Sequence, residues 1–221
     1  MTIKPYKIFG WILFYGFLIF LTFNKHSRSG YNNYHSEIWA DKAGYYVYLP
    51  ATFKYNFQAE QFPDSIDFKT GHGFHLDPNT NKVQTKYTYG VSFLQAPFYF
   101  VADILSPLLE QQPDGFSPIY HSSINFAAIS YFLLGLILLN QVLKIAFNKQ
   151  TAIFVLLSIF LGTNLFYYVV SATGMSHVYS FFLFSLLLNL LVSSNFLSRS
   201  NTILLLFLGI IGILAQSHVY H

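Results

Sequence analysis

Apolar residues along this chain are grouped in long blocks rather than at the short period of an amphipathic helix or strand. The apolar runs occupy residues 8–23, 119–143, 151–170, 176–192 and 202–215. A helix rises about 1.5 Å per residue, and a bilayer core requires roughly 20 residues. With their flanks, these runs are long enough, or nearly so, to cross a membrane. The pattern predicts an all-α, polytopic transmembrane helix bundle of about five spans.

A long polar block follows the first apolar run. Residues 24–90 contain 13 of the 21 charged residues, with turn signals at Pro63-Asp64, Gly71-His72-Gly73 and Asp77-Pro78-Asn79. The many Tyr and Phe residues in this block argue against disorder. We therefore expect an ordered, water-facing loop with a small hairpin near Asn79.

Residues 91–105 are apolar but short, and Pro97 and Asp103 interrupt them. We expect this segment to lie as a helix along the outer membrane surface. The expected organisation is then a first transmembrane helix at 1–23, an extracytoplasmic loop with juxtamembrane helices at 24–118, and four further transmembrane helices at 119–221. Because the chain ends close to its last apolar run, we expect it to be the amino-terminal part of a larger membrane protein.

Composition excludes several other classes of protein. Charged residues make up 10% of the chain and hydrophobic residues 53%, whereas a soluble domain carries about 25% charged residues. An aqueous globular domain and intrinsic disorder are thereby excluded. A net charge of +3 gives no basic face for nucleic acid. Without cysteine, the chain has no disulfide, thiol nucleophile or Cys-based zinc site.

Basic residues predict the orientation, because cytoplasmic loops of membrane proteins are enriched in Lys and Arg. If residues 91–105 do not span, five basic residues next to the spans fall on one side: Lys4, Lys7, Lys144, Lys149 and Arg199. The prediction is a multi-pass protein of the cell (inner) membrane. Its amino terminus is cytoplasmic and its large loop extracytoplasmic.

Candidate chemistry is densest directly after the first span. Residues 37–50 are predicted to form a short amphipathic helix at the outer interface, with Glu37 and Asp41 on one face. A carboxylate packed against lipid and aromatic rings is partly desolvated and can act as a base near neutral pH. The alternative is an interfacial aromatic belt with solvated acids.

The acid in this segment stands in an Asp-x-x-x-Tyr-Tyr context, and residues 86–99 form an aromatic segment with a Pro followed by an aromatic residue. With the preceding span, these features resemble the GT-C class of membrane glycosyltransferases. The most similar families within it are the protein O-mannosyltransferases and the aminoarabinose transferases. In that class the first outward loop carries a catalytic Asp, and the matching residue here is Asp41. Many members have a second acid beside it, where this chain has Lys42.

The resemblance implies transfer of a sugar from a polyprenyl-phosphate donor to an acceptor on the outer face, with membrane lipid as the other partner. Asp41 would be the catalytic base, and Lys86 would offset charge on the departing phosphate. The remaining candidate substrate-binding residues are Glu37, Tyr45, Tyr46, Tyr48 and His177. The donor is a substrate, so no cofactor is implied, and dependence on a divalent metal stays open.

Other interpretations remain at this point. The chain could be a non-enzymatic polytopic protein, such as a transporter piece or an envelope assembly module, or an inactive remnant. His72, His75 and Asp77 could suggest a metal site, but a turn at residues 77–81 explains them better. We expect no metal site.

Overall fold

The computed structural model describes residues 5–192 and residue 209. Within this part the chain is mainly helical, with one small antiparallel sheet. The α-helices are α1 (Pro5–Ser27), α2 (Asp41–Tyr46), α3 (Tyr48–Phe53), α4 (Ile66–Thr70), α5 (Gly90–Leu108), α6 (Pro118–Ala146), α7 (Lys149–Gly162), α8 (Leu165–Val170) and α9 (Ser176–Val192). The strands are β1 (His75–Asp77) and β2 (Lys82–Gln84), and Ala59–Gln61 forms a 3₁₀ turn. Apart from residue 209, the apolar run at 202–215 lies outside the described residues.

Three of the described helices are long and apolar enough to cross a membrane: Ile8–Ser27, Gly90–Leu108 and Pro118–Ala146. Two shorter apolar helices accompany them, Lys149–Gly162 and Ser176–Val192. Large apolar side chains such as Phe9 and Phe20 on α1 are exposed, which is stable only against lipid. The protein is therefore a membrane-embedded helical bundle, as the apolar runs predict.

Helix α6 is the centre of this bundle and contacts α1, α5, α7, α8 and α9. The α1 helix runs antiparallel to it: Tyr15 bonds Ser130 at 3.0 Å, and Phe23 packs on Phe126. Helix α9 comes so close that a Cβ on Gly135 would lie 2.7 Å from the ring of Phe181. The carboxyl-terminal end of α1 and the amino-terminal end of α6 therefore lie at the same end of the bundle.

Helix α5 is longer than the segment expected at the membrane surface. It buries one face, including Val91, Leu94 and Tyr99, and leaves an apolar face with Ile104 and Leu108 exposed. The buried face packs mainly on α6, where Tyr131 Oη donates to the Leu94 carbonyl at 2.8 Å. The surface position of this segment stays a prediction, because its length and composition also permit it to span.

The predicted run at 151–170 is two helices rather than one. Asn148 caps the start of α7 by accepting from the Thr151 amide at 2.9 Å. Thr163 adopts an extended conformation that ends α7, and α8 begins two residues later. The turn after α8, at residues 171–175, then carries the chain back to the base of the large loop.

The loop at 24–118 is ordered around an aromatic core. Tyr46, Phe62, Phe116 and Tyr120 are among the buried residues that join α2 and α3 to the start of α6. The expected hairpin is confirmed: β1 pairs with β2 through His75–Gln84, Leu76–Val83 and Asp77–Lys82. This core holds α2 against the bundle and so fixes the position of the site described next.

Candidate functional site

Asp41 is the first residue of α2, directly after a strained position in the backbone. Ala40 has φ 49° and ψ −126°, a conformation that residues with a Cβ rarely adopt. Its amide donates to the Thr70 carbonyl at 2.8 Å, and its carbonyl lies so close to Gly73 that a Cβ there would be 2.1 Å away. Strain of this kind persists only where the surrounding structure enforces it, and it is concentrated at functional sites.

The Asp41 carboxylate is about half exposed, with 53% of the side chain accessible. Lys86 Nζ lies 3.4 Å from it. Burial, and then the hydrogen bond to Asp41, raises the pKa of Tyr87 well above its ordinary value, so this phenol stays a donor. Tyr87 packs against the buried Tyr45 in a tilted arrangement, with ring centroids 4.1 Å apart. Asp41 is therefore held on one side by two partners and remains open on the other.

The open side of Asp41 borders two cavities. The first, which we call the hairpin cleft, has a volume of about 920 Å³ and lies between the α2–α3 segment and the β-hairpin. It is lined by Ala40, Asp41, Val47, Tyr48, Phe57, Asp67, His72, Gly73, Phe74, His75, Val83, Gln84, Thr85 and Lys86. Most of these residues belong to the polar loop, so the cleft opens toward water.

The second cavity, the α8–α9 pocket, has a volume of about 180 Å³. It lies between the segment before α2 and the turn that joins α8 to α9. Its lining is rich in aromatic rings: Tyr34, His35, Trp39, Ala40, Asp41, Lys42, Tyr167, Tyr168, Ser171, Ala172 and Met175. Ala40 and Asp41 line both cavities, so the carboxylate stands at the junction of a polar cleft and an aromatic pocket.

A buried polar cluster supports the segment before α2. Glu37 is 2% exposed and lies between two histidines, with His26 Nδ1 and His121 Nδ1 each 3.0 Å from a carboxylate oxygen. Asn125 Nδ2 also donates to Glu37, and Thr173 Oγ1 donates to Asn125 at 2.7 Å. The cluster thus joins the large loop to α1, to α6 and to the turn after α8.

Charge within this cluster follows from its hydrogen bonds. His26 has Nδ1 against Glu37 and Nε2 against the Val170 carbonyl at 3.2 Å. Both of these partners are hydrogen-bond acceptors. Burial alone would raise the pKa of Glu37, but hydrogen bonds to His121 and His26 outweigh it and hold the pKa well below 4.5. Glu37 is therefore a buried anion at neutral pH.

Lys42 is buried beside this anion. Its Nζ donates to the Tyr34 carbonyl at 3.1 Å. Burial lowers the pKa of Lys42 to about 8, and the Glu37 charge opposes that shift. Gly174 allows the turn after α8 to reach this point, since a Cβ there would lie 2.5 Å from the Glu37 carbonyl. Lys42 also lines the α8–α9 pocket, so these contacts hold one of its walls in place.

Two expectations about Glu37 are wrong. It does not share a helical face with Asp41, because α2 begins at Asp41 and the strained Ala40 separates it from the irregular segment before it. Nor is it placed to bind substrate, because its carboxylate is buried and both oxygens are engaged. The buried position of Glu37 indicates that it anchors the chain segment that carries Asp41.

The prediction that Tyr45 and Tyr46 contact the substrate is also wrong. They are 1% and 0% exposed, and burial raises the pKa of Tyr46 well above its ordinary value. Tyr46 Oη donates to the Gly115 carbonyl at 2.6 Å. The ring of Tyr46 packs in the core of the loop, and the ring of Tyr45 packs against residues of α5, α6 and α9. Neither side chain can therefore stack on a sugar in this arrangement.

The other sequence candidates lie at or near the cavities. Tyr48 lines the hairpin cleft together with Lys86. His177 is exposed at the start of α9 and stacks on Tyr168 of the α8–α9 pocket, with ring centroids 3.7 Å apart. The predicted roles of these residues toward a substrate stay predictions.

Sequence reasoning missed the clustering of His26, His121, Asn125 and Thr173 around Glu37. The only signal was one histidine near an end of each of two apolar runs, which is common at membrane interfaces.

Among the described residues no group of three His, Asp or Glu side chains could hold a metal ion. The 3.0 Å contacts of Glu37 are direct hydrogen bonds that leave no room for an ion. His75 and Asp77 lie in the hairpin, where Asp77 accepts from the Asn79 amide and from Thr80.

Comparison with known proteins adds no relative. No protein-family model, no curated protein and no solved structure matches this chain.

Proposed function

We propose that this protein is a membrane glycosyltransferase that moves a sugar from a polyprenyl-phosphate donor to an acceptor on the outer face of the cell membrane. The observation that carries the proposal is the position of Asp41. A single accessible carboxylate lines both a polar cleft and an aromatic pocket. A transfer between a water-borne acceptor and a membrane-borne donor requires a base at such a junction.

In the proposed reaction the acceptor hydroxyl enters through the hairpin cleft. Asp41 accepts the hydroxyl proton as the acceptor oxygen bonds to the anomeric carbon. The bond between that carbon and the phosphate oxygen breaks at the same centre, and the phosphate leaves with the bonding electron pair. Tyr87 and Lys86 keep the carboxylate oriented from behind. Atoms and charge balance without a redox partner.

The α8–α9 pocket is the proposed location of the sugar. Aromatic rings bind the apolar faces of sugar rings by stacking, while their polar tips accept or donate hydrogen bonds. Tyr34, Trp39 and Tyr168 provide such faces around the pocket. The buried Glu37 cluster holds the chain segment that carries Trp39 and Lys42 of this pocket, so the sugar would meet a preorganised surface.

The proposed orientation of the protein in the membrane follows from the chemistry of the donor. Nucleotide sugars stay in the cytoplasm, whereas a lipid-linked sugar can be presented outside. We accordingly place the amino terminus inside, the loop at 24–118 outside, and spans at α1, α6, α7–α8 and α9, with a fifth at 202–215.

Site-directed labelling tests this orientation. Single cysteines at Ser65, Asn79, Asn148 and Ser198 would be exposed to an impermeant thiol reagent on intact cells, and the native chain has no cysteine to interfere. We expect labelling at Ser65 and Asn79 only. Labelling at Asn148 or Ser198, or protection at both loop positions, would contradict an outward-facing site.

A further inference from the structure

A third cavity lies at the carboxyl-terminal end of α1. We call it the α1-end pocket; its volume is about 700 Å³. Leu21 and Val170 form an apolar part of its wall, and the long cationic side chains of Lys25 and Arg28 line another part. Asp41 and the hairpin are not among its lining residues. The α1-end pocket thus does not reach the Asp41 carboxylate.

The charge of this pocket is positive. Lys25 lies in the last turn of α1 and Arg28 directly follows the helix, and both side chains line the pocket. No carboxylate is among the lining residues. Neither cation has an ion-pair partner within the part of the chain that the structure describes.

Cations at this end of a helix often interact with its terminal carbonyl groups. Here other donors already reach those carbonyls. Ser27 Oγ donates to Asn24, Ser29 Oγ donates to Lys25, and the Ser29 amide donates to His26. The two cationic side chains are therefore available for an external anion.

The depth of the pocket fits a lipid phosphate. The apolar stretch of α1 extends over Ile8–Ser27, and Leu21 precedes Lys25 by one helical turn. Basic side chains at this level lie where lipid headgroups are found, while their stems stay in apolar surroundings. An anion in the pocket would thus sit above an apolar surface that continues toward the bilayer.

The α1-end pocket also adjoins the proposed sugar site. Tyr34 and His35 line both this cavity and the α8–α9 pocket. A molecule with a phosphate between Lys25 and Arg28 could therefore extend past these two residues toward Asp41. Three cavities then follow one another, from the membrane edge to the aromatic pocket and on to the polar cleft.

We infer that the α1-end pocket binds the phosphate of the polyprenyl-phosphate donor through Lys25 and Arg28, with the polyprenyl chain leaving over Leu21 into the lipid. The inference rests on the proposed function, because it names the part of that site that holds the donor. In this inference Lys25 and Arg28 bind the phosphate of the donor. Lys86 does not, because it is already paired with Asp41.

A binding measurement on the full-length protein in detergent tests this inference. The probe is a radiolabelled short-chain polyprenyl monophosphate, and the variant is Lys25→Gln with Arg28→Gln. The matched control removes two charges elsewhere, at Lys82→Gln and Lys149→Gln, both exposed. Each charge-assisted contact to phosphate is worth enough to change affinity by roughly tenfold or more. We expect at least that loss in the first variant and none in the control.

The source of the phosphate is distinguished by competitors. We expect inorganic phosphate, the phosphate-free polyprenol and phosphatidylglycerol each to compete poorly with the probe. Equal competition by any of the three, or an equal loss in the control, would overturn the inference. Lys25→Arg with Arg28→Lys keeps both charges and should retain binding, so a loss that merely reflected misfolding would be recognised.

Failure of the inference and failure of the proposed function give different results. Probe binding requires no turnover, and Asp41→Asn should bind the probe as the wild type does. A protein that binds the probe through Lys25 and Arg28 but transfers no sugar would overturn the reaction and leave the phosphate site. A protein that transfers sugar but binds the probe without these two residues would overturn the phosphate site alone.

Discussion

Replacing Asp41 by Asn should reduce sugar transfer by at least about 10²-fold, the usual scale for a positioned general base. The amide keeps the size of the side chain but cannot accept the acceptor proton. Its contacts are to Lys86, in an exposed ion pair of little energetic value, and to Tyr87. We therefore expect unchanged expression, membrane insertion and thermal unfolding. Release of free polyprenyl phosphate by the full-length protein would measure the rate.

Asp67→Asn is the matched control for that experiment. Asp67 lines the same hairpin cleft and carries the same charge, but it does not line the α8–α9 pocket. We expect this variant to transfer sugar at nearly the wild-type rate. Comparable losses in both variants would mean that general cleft electrostatics, rather than a base at the junction, support the reaction. Wild-type turnover by Asp41→Asn would favour the non-enzymatic interpretation of the chain.

Replacing Glu37 by Ala should be the most destabilising single change in the loop. Removal of this carboxylate leaves the buried ring nitrogens of His26 and His121 without their shared acceptor and removes the acceptor of Asn125. Each buried polar group left without a partner costs about 1–3 kcal/mol. Thermal unfolding in detergent at pH 7 should show a large fall in the midpoint. Glu60→Gln removes an exposed acid and should leave the midpoint unchanged.

The pH dependence of that stability has a defined sign. The pKa of Glu37 is held below its ordinary value of 4.5. The stability it contributes is therefore present above that value and is lost as the pH falls through and below it. The difference in stability between the wild type and Glu37→Gln should accordingly shrink below about pH 4.5. A difference that grew on acidification would contradict the buried anion.

Local features of the fold could be predicted from the sequence because they depend on neighbouring residues. The apolar runs indicate α1, α6 and α9, and the Asp-Pro-Asn turn indicates the β-hairpin. The start of α2 at Asp41 could not be predicted from the sequence. The helical pattern of residues 37–50 gives no sign that Ala40 adopts a left-handed conformation, because that conformation is imposed by Thr70 and Gly73.

The candidate site could be predicted only in part, because only some of its features depend on residues that are close in sequence. Asp41 could be selected from its context, since the preceding span and the following tyrosines are its sequence neighbours. Its place between two cavities depends on the hairpin and on the turn after α8, which are distant in sequence. The Glu37 cluster is formed by residues up to 136 positions away, as for Thr173, through contacts that only the tertiary packing creates.

A structure of the full-length protein with a bound, non-transferable polyprenyl-phosphonate sugar would test the central claim most directly. We predict that the sugar occupies the α8–α9 pocket, with its anomeric carbon facing the hairpin cleft and the Asp41 carboxylate positioned beside the entering acceptor. Density for the sugar in a cavity that Asp41 does not line, with the carboxylate still paired only to Lys86 and Tyr87, would contradict the account.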